Sequence, residues 1–180
     1  ATAASNWKKL NMIGNLLDKV DMLALQETHG QLECLDILRR RHRGFSFWGS
    51  FPHNRQSGGV VVAISERLLR SATDCSFTDF GSYSDDYPGR ACSVRFRVFG
   101  EFIEFVSVHV DPSWTRAATR EFWLRLRAHL DPYATFLLGD WNFVHSDESR
   151  LQVAAGTCAS QQDGLDADFE RELSDLTEVL

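Results

Sequence analysis

The chain has 180 residues, of which 43% are hydrophobic and 12% aromatic, and its formal net charge is −6 at pH 7. This composition excludes a disordered chain, because so much apolar material is enough to bury a sizeable core within one domain. The acidic charge argues against a protein that coats nucleic acid, although an enzyme acting on nucleic acid needs only a local basic patch.

The sequence shows no pattern typical of a membrane-spanning helix or of a signal peptide. No run approaches the roughly 20 apolar residues of a membrane-spanning helix, and residues 1–9 lack the layout of a signal peptide. We therefore expect a soluble, intracellular protein with no membrane partner. Because the sequence starts without Met and stops inside a helical pattern, we also expect a segment of a longer protein.

The four cysteines are scattered over positions 34, 75, 92 and 158. They form no C-x-x-C pair, which disfavours a zinc site and allows no disulfide to be inferred. Reduced thiols are the expectation.

Apolar spacing predicts the elements of the first half of the chain. A stripe at intervals of three or four residues predicts helices over residues 7–20 and 32–38. An apolar run predicts a strand over 22–25, and two further strands are expected over 45–51 and 59–64. The polar loop between those two strands is placed to reach over an active site.

The second half of the chain continues with a predicted hairpin. Residues 90–100 alternate between apolar and polar side chains, and a turn at Phe99 and Gly100 leads into a strand over 102–110. Helices are predicted over 113–130 and 165–180, with a strand over 136–140 between them. The pattern predicts an α/β fold, a layered sandwich of mixed sheets flanked by helices.

Three predicted strands end on polar side chains: the first runs into residues 26–29, the second into 109–111 and the third into 139–142. Ligands and catalytic groups gather at strand ends, where a rigid scaffold meets solvent. Glu, His, Asp and Asn together can hold Mg²⁺ and move a proton. We therefore expect metal-dependent phosphate-ester chemistry.

Four motifs follow one another at credible intervals. They are Leu25-Gln26-Glu27-Thr28-His29, Ser57-Gly58-Gly59-Val60, Val108-His109-Val110-Asp111-Pro112 and Gly139-Asp140-Trp141-Asn142-Phe143. Together they resemble the endonuclease/exonuclease/phosphatase superfamily over nearly the whole chain. With Asp147 to Arg150, they look most like the endonuclease domains of non-LTR retrotransposons.

The resemblance implies a single domain of that family over residues 1–180. It implies a Mg²⁺-dependent phosphodiesterase, with Mn²⁺ as a second usable ion and DNA as the substrate. A retroelement origin further implies a nuclear location and a longer polyprotein that includes a reverse transcriptase.

The resemblance also implies roles for individual residues. Glu27 becomes the Mg²⁺ ligand, Asp140 orients or deprotonates the attacking water, and Asn142 positions a phosphate or a water. His109 stands where many nucleases of the family have Tyr and where the deoxyribonuclease-I-like and sphingomyelinase-like branches have His, which leaves the branch open. A histidine there can polarise or protonate a phosphate oxygen.

The sequence departs from the family pattern at both ends. The family's first-strand Asn has only Asn6, Asn11 or Asn15 as a counterpart, and none follows a predicted strand. No His after Arg150 supplies the family's final Ser-Asp-His strand. We therefore expect a domain that lacks its first and last strands and is incomplete at both ends, with activity near background on its own.

Two other questions stay open from the sequence. Arg39, Arg40 and Arg41, with Arg55 in the polar loop, are candidates for contacts with nucleic-acid phosphates, but a basic run at a helix end often only complements the helix dipole. The alternatives to an endonuclease are a phosphatase or sphingomyelinase-like phosphodiesterase of the same fold, and a catalytically inactive remnant that acts as a binding module.

Overall fold

The computed structural model describes residues 3–53, 58–83, 87–130 and 135–142. These residues form two compact units. The first contains the residues up to His109 together with Thr135–Asp140, and the second contains residues 110–130 with Trp141 and Asn142. The single domain over residues 1–180 stays a prediction.

The first unit begins with α1 (Ala3–Leu17), β1 (Met22–Leu25), α2 (Leu32–Arg41), β2 (Phe45–Ser50) and β3 (Val60–Ser65). The three strands form an antiparallel sheet, the first sheet, in the order β1-β3-β2. Every residue of β3 is buried. A central strand that is covered on both faces reads as a continuous apolar run, as the sequence 60–64 does.

One face of the first sheet packs against α1 and α2. Their shared core contains Leu17, Leu35, Leu38, Phe47, Val61 and Ala63. Both helices were predicted from their apolar stripes, and the structure confirms them with α1 ending at Leu17 rather than at residue 20.

The first unit continues with α3 (Glu66–Leu69), β4 (Ala72–Asp79), β5 (Ala91–Val98), β6 (Glu101–His109) and β7 (Thr135–Asp140). These four strands form a second sheet in the order β4-β5-β6-β7, antiparallel except for the parallel pair of β6 and β7. The predicted hairpin of β5 and β6 is confirmed. Its two-residue loop has positive φ at both Phe99 (53°) and Gly100 (91°), as the favoured twist of a tight hairpin requires.

The two sheets pack face to face around one core. It contains Val60, Val62, Ile64, Cys92, Val94, Phe96, Val98 and Phe105. The core therefore takes alternate residues of β3 and β5. The predicted layered α/β sandwich is confirmed, with one antiparallel sheet and one mixed sheet.

Strand β4 was absent from the sequence prediction. Five consecutive residues of it, Thr73 to Phe77, are exposed, because it lies at the edge of the second sheet. An exposed edge strand has no apolar alternation to reveal it.

The second unit contains α4 (Arg116–Arg127), within the predicted helix 113–130. The hydroxyl of Thr115 accepts a hydrogen bond from Ala118 N and caps the helix. Aromatic rings pack along it: Phe122 contacts Trp114 and Trp123, and Trp123 stacks on Trp141 with ring centroids 5.0 Å apart. The predicted helix over 165–180 lies outside the described residues.

Among the described residues, no helix has both the length and the apolar character to cross a membrane.

Candidate active site

The chain leaves β1 in an irregular loop, residues 26–31, that carries Glu27. Glu27 and His29 both have positive φ, 50° and 47°, a conformation that side-chain-bearing residues rarely adopt and that costs about 1–3 kcal/mol. Two backbone hydrogen bonds hold this loop, from Thr28 N to Gly59 O and from His29 N to Gly58 O, each 3.1 Å long. The start of β3 therefore positions Glu27.

Glycine is required at position 59. Its φ is +88°, and a Cβ there would lie 2.4 Å from Thr28 Oγ1. The Ser57-Gly58-Gly59-Val60 motif needs glycine at position 59 because only glycine lets the backbone just before β3 approach the loop that carries Glu27.

A polar contact ties the same end of β1 to the second sheet. The side chain of Gln26 donates from Nε2 to Ser107 Oγ (3.1 Å), and the Ser107 hydroxyl donates to Leu25 O (3.3 Å). Ser107 is fully buried. The Gln of the first motif therefore links the two sheets two residues away from His109.

His109 lies against Glu27 at the end of β6. Its Nε2 atom is 3.4 Å from Glu27 Oε1, and Nε2 of His29 is 3.8 Å from Glu27 Oε2. The His109 side chain is 2% exposed, whereas that of Glu27 is 54% exposed. A buried imidazole thus faces a carboxylate that remains open to solvent.

Arg90 was not among the candidate site residues from the sequence, yet it contacts His109 directly. One guanidinium nitrogen, Nη1, is 2.8 Å from His109 Nδ1, and His109 N donates to Arg90 O at 2.8 Å. A sequence signal for it existed. Arg90 precedes Cys92 by two residues and so falls on the core face of the strand, where an arginine needs a polar partner.

Asp140 ends β7 beside His109. The two residues are register partners in the parallel pair of β6 and β7, so their side chains project from the same face of the second sheet. Asp140 is exposed. Gly139 permits the close approach of the strands, since a Cβ there would lie 2.0 Å from Val108 O.

Asn142 lies in the second unit, two residues after Asp140. Its φ is positive, 52°, and asparagine is one of the residues that tolerate this conformation. Its amide nitrogen Nδ2 donates to the backbone carbonyl of Val110. This bond fixes the side chain to the residue that follows His109, while its predicted role toward a phosphate stays a prediction.

The arginine run at the end of α2 is engaged within the protein. Arg39 Nη2 donates to Phe47 O at 2.8 Å. Arg41 donates to Asn11 Oδ1 at 2.5 Å, and its guanidinium lies 4.0 Å above the centre of the Trp7 ring. Intramolecular packing and the helix dipole explain these residues without a ligand.

The run also lies away from Glu27. Helix α2 leads into Phe45, which pairs with Ser65 at the far end of β3 from Gly59. The structure therefore does not bring Arg39, Arg40 and Arg41 to the end of the sheet that holds Glu27. Arg55 lies outside the described residues, and the asparagines considered for the first strand, Asn6, Asn11 and Asn15, all lie in α1.

The donor groups near Glu27 fit a hard divalent ion with few protein ligands. Within the described ranges, no three His, Cys, Asp or Glu side chains are grouped as a metal site. Mg²⁺ does not require such a group, because it binds through one or two carboxylates and keeps several waters. Among the described residues, only His29 and His109 pair with the Glu27 carboxylate, so no Lys or Arg neutralises it there.

A family model and several solved structures resemble this chain. The model of the endonuclease/exonuclease/phosphatase family matches residues 4–173. An AP endonuclease from Archaeoglobus fulgidus has a TM-score of 0.61 and 17% identity, covering 94% of this chain and 65% of that one. The endonuclease domain of TRAS1, a telomere-specific non-LTR retrotransposon, has a TM-score of 0.57 and 16% identity, covering 91% and 63%.

A third structure extends the comparison beyond nucleases. A mannosyl-6-phosphatase from Bacteroides thetaiotaomicron has a TM-score of 0.55 and 12% identity, covering 83% of this chain and 64% of that one. These low identities show a shared fold and no more. The chain spans less than two thirds of the length of each of the three, and no curated protein matches its sequence.

Proposed function

Because the chain belongs to the endonuclease/exonuclease/phosphatase family, a family of hydrolytic enzymes, we propose that it is a Mg²⁺-dependent phosphodiesterase, specifically a DNA endonuclease of the retrotransposon type. The observation that carries the proposal is the meeting of Glu27 and His109 from two different sheets, 3.4 Å apart, with Asp140 in register beside His109. A carboxylate, an imidazole and a second carboxylate at one end of a sandwich are the groups that phosphodiester hydrolysis needs.

Each residue has a role that suits its surroundings. Glu27, the solvent-open carboxylate, would hold the divalent ion, which members of this family generally use. When bound, such an ion neutralises charge that develops on the phosphate oxygens. Asp140 is exposed at the strand end, where its carboxylate can accept a proton from an attacking water.

DNA is the proposed substrate because two of the similar structures are an AP endonuclease and a retrotransposon endonuclease domain. The similar mannosyl-6-phosphatase shows why the fold alone does not select the substrate. A nuclear location and a polyprotein containing a reverse transcriptase belong to the same proposal.

Plasmid nicking in the presence of Mg²⁺ tests the proposal. We expect slow nicking, because the candidate first-strand asparagines all lie in α1 and one missing hydrogen-bond donor typically costs about 10²–10³ in rate. Asp140→Ala should remove the nicking, whereas Glu101→Ala, at the opposite end of the same sheet and exposed, should leave it unchanged.

Three outcomes would redirect the proposal. Equal nicking by Asp140→Ala and the unchanged protein would remove Asp140 from the chemistry. Hydrolysis of an inositol phosphate or of sphingomyelin without nicking of DNA would assign the phosphatase or sphingomyelinase-like alternative. No hydrolysis of any of these substrates would favour the inactive remnant.

A further inference from the structure

Arg90 and His109 project into the same space between the sheets. The hydrogen bond from His109 N to Arg90 O extends the pairing of β5 and β6 by one residue beyond Ala91 and Val108. Both residues are buried, with exposed fractions of 7% for Arg90 and 2% for His109. The Arg90 guanidinium also packs against Gly58, where a Cβ would lie 3.3 Å from its Cζ.

The chemistry of the two side chains decides where the imidazole proton lies. A guanidinium has five N–H donors and no acceptor. Arg90 Nη1 lies 2.8 Å from His109 Nδ1, so Nδ1 has to be the acceptor in that hydrogen bond. In a neutral imidazole that accepts at Nδ1, the proton is on Nε2.

We propose that Arg90 is a positioning residue that holds His109 in the Nε2–H tautomer and directs that proton toward Glu27. Nε2 is 3.4 Å from Glu27 Oε1, longer than the 2.7–3.2 Å typical of a formed N–H···O bond, so a small closure would complete it. The guanidinium thus donates to the imidazole at Nδ1, and the imidazole presents its own N–H group to the Glu27 carboxylate.

The position of the imidazole proton does not depend on the proposed function, but its effect on metal binding rests on it. A neutral imidazole with its proton on Nε2 is a hydrogen-bond donor to a carboxylate or a phosphate oxygen. His109 would then orient the ligand Glu27 through its one N–H group, rather than deliver a proton to a phosphate oxygen. Outer-shell partners of this kind typically change metal affinity by about 10–100-fold when they are removed.

Nitrogen NMR of the protein without metal and without DNA tests the tautomer itself. The sample carries ¹⁵N-labelled histidine at about pH 8, where ordinary histidines are neutral, and the His109→Gln spectrum assigns the His109 signals by their loss. We expect an unprotonated Nδ1 and a protonated Nε2. A protonated Nδ1 in the unchanged protein would overturn the proposal, whatever the nicking assay shows.

Two variants separate the donor from simple packing. Arg90→Met removes the donors and keeps much of the length, so the population of the Nε2–H tautomer should fall, since only Glu27 still favours it, and Mn²⁺ affinity should fall about 10–100-fold. Arg90→Lys retains a cationic donor and should preserve the tautomer. If Arg90→Met folds and keeps the same tautomer, Arg90 does not set it.

If Arg90→Met does not fold, the nitrogen NMR spectra of the unchanged protein and of Arg90→Lys still test whether Arg90 sets the His109 tautomer. Loss of the Nε2–H tautomer in a folded Arg90→Lys protein would contradict the proposal. Absence of nicking by the unchanged protein, with the tautomer as expected, would remove the proposed function and leave the placement of the proton intact.

Discussion

Nε2 of His109 lies 3.4 Å from Oε1 of Glu27, although His109 ends a strand of the second sheet and Glu27 follows a strand of the first. The contact therefore depends on the packing of the two sheets. The hydrogen bond from Gln26 to Ser107 joins the two sheets at the same end. The interactions that hold the sheets together there therefore also hold Glu27 and His109 in place.

The contact between Gln26 and Ser107 should contribute measurably to stability. Ser107→Ala removes an acceptor for Gln26 and a donor to Leu25 O at a fully buried position, and we expect a loss of about 1–3 kcal/mol in the free energy of unfolding. Urea denaturation measures it. Ser71→Ala is the control, because that side chain is exposed and its removal should cost less than about 0.5 kcal/mol; equal losses would contradict a buried link between the sheets.

The close approach of β6 and β7 should make Gly139 irreplaceable. In Gly139→Ala the new Cβ would lie 2.0 Å from the backbone oxygen of Val108, so the strands have to separate. The cost should reach or exceed the roughly 1–3 kcal/mol typical of overpacking. Gly44→Ala, with no atom within 4 Å of the new Cβ, should be nearly neutral in the same denaturation experiment, and a similarly neutral Gly139→Ala would show that the strands are not so close.

Replacing Gly59 should displace the loop that carries Glu27 and so weaken the binding of Mn²⁺. Gly59 and Gly100 both have positive φ, so alanine at either position should cost about 1–2 kcal/mol in backbone strain. Only Gly59→Ala places a Cβ against Thr28, 2.4 Å from its Oγ1. Mn²⁺ affinity should therefore fall in Gly59→Ala and stay unchanged in Gly100→Ala. An equal change of Mn²⁺ affinity in the two variants would show that Mn²⁺ binding does not depend on the position of the Glu27 loop.

Apolar alternation predicted the parts of the fold that the core touches. Cys92, Val94, Phe96 and Val98 alternate in sequence because every second residue of β5 enters the core between the sheets. Strand β4 has no such contact along its exposed middle and left no pattern. Apolar alternation in the sequence therefore indicates a strand with one buried face, and it does not reveal an exposed edge strand such as β4.

Candidate site residues were predictable where a motif ends a strand. Glu27, His109 and Asp140 were identified in this way, and the structure places them at one end of the sandwich. Arg90 was missed because its partner, His109, lies 19 residues further along the chain. The short loop at Phe99 and Gly100 sets the register that places Arg90 opposite His109, but a single sequence does not show the contact between their side chains.

Stability should depend on pH through His42, which lies outside the candidate site. Burial, and secondly the nearby charge of Arg41, lower the pKa of His42 below its ordinary value of 6.5. As the pH falls through about 6.5, the unfolded chain binds a proton that the folded protein still resists, so folding is destabilised.

Replacing His42 tests this linkage. His42→Gln should reduce the loss of stability between about pH 7.5 and pH 5.5, measured by urea denaturation at both pH values. His53→Gln, which changes an exposed histidine, is the matched control. An unchanged pH dependence in His42→Gln would assign the acid sensitivity to other groups.

The binding of Mn²⁺ is the most direct test of the candidate site, because it requires neither DNA nor full catalytic activity. Water-proton relaxation should show weak binding to the unchanged protein, since one carboxylate leaves most of the coordination shell to water. Glu27→Gln should abolish it, whereas Glu33→Gln, an exposed change on α2, should bind as the unchanged protein does. Equal Mn²⁺ affinity in Glu27→Gln and in the unchanged protein would contradict a metal site at Glu27.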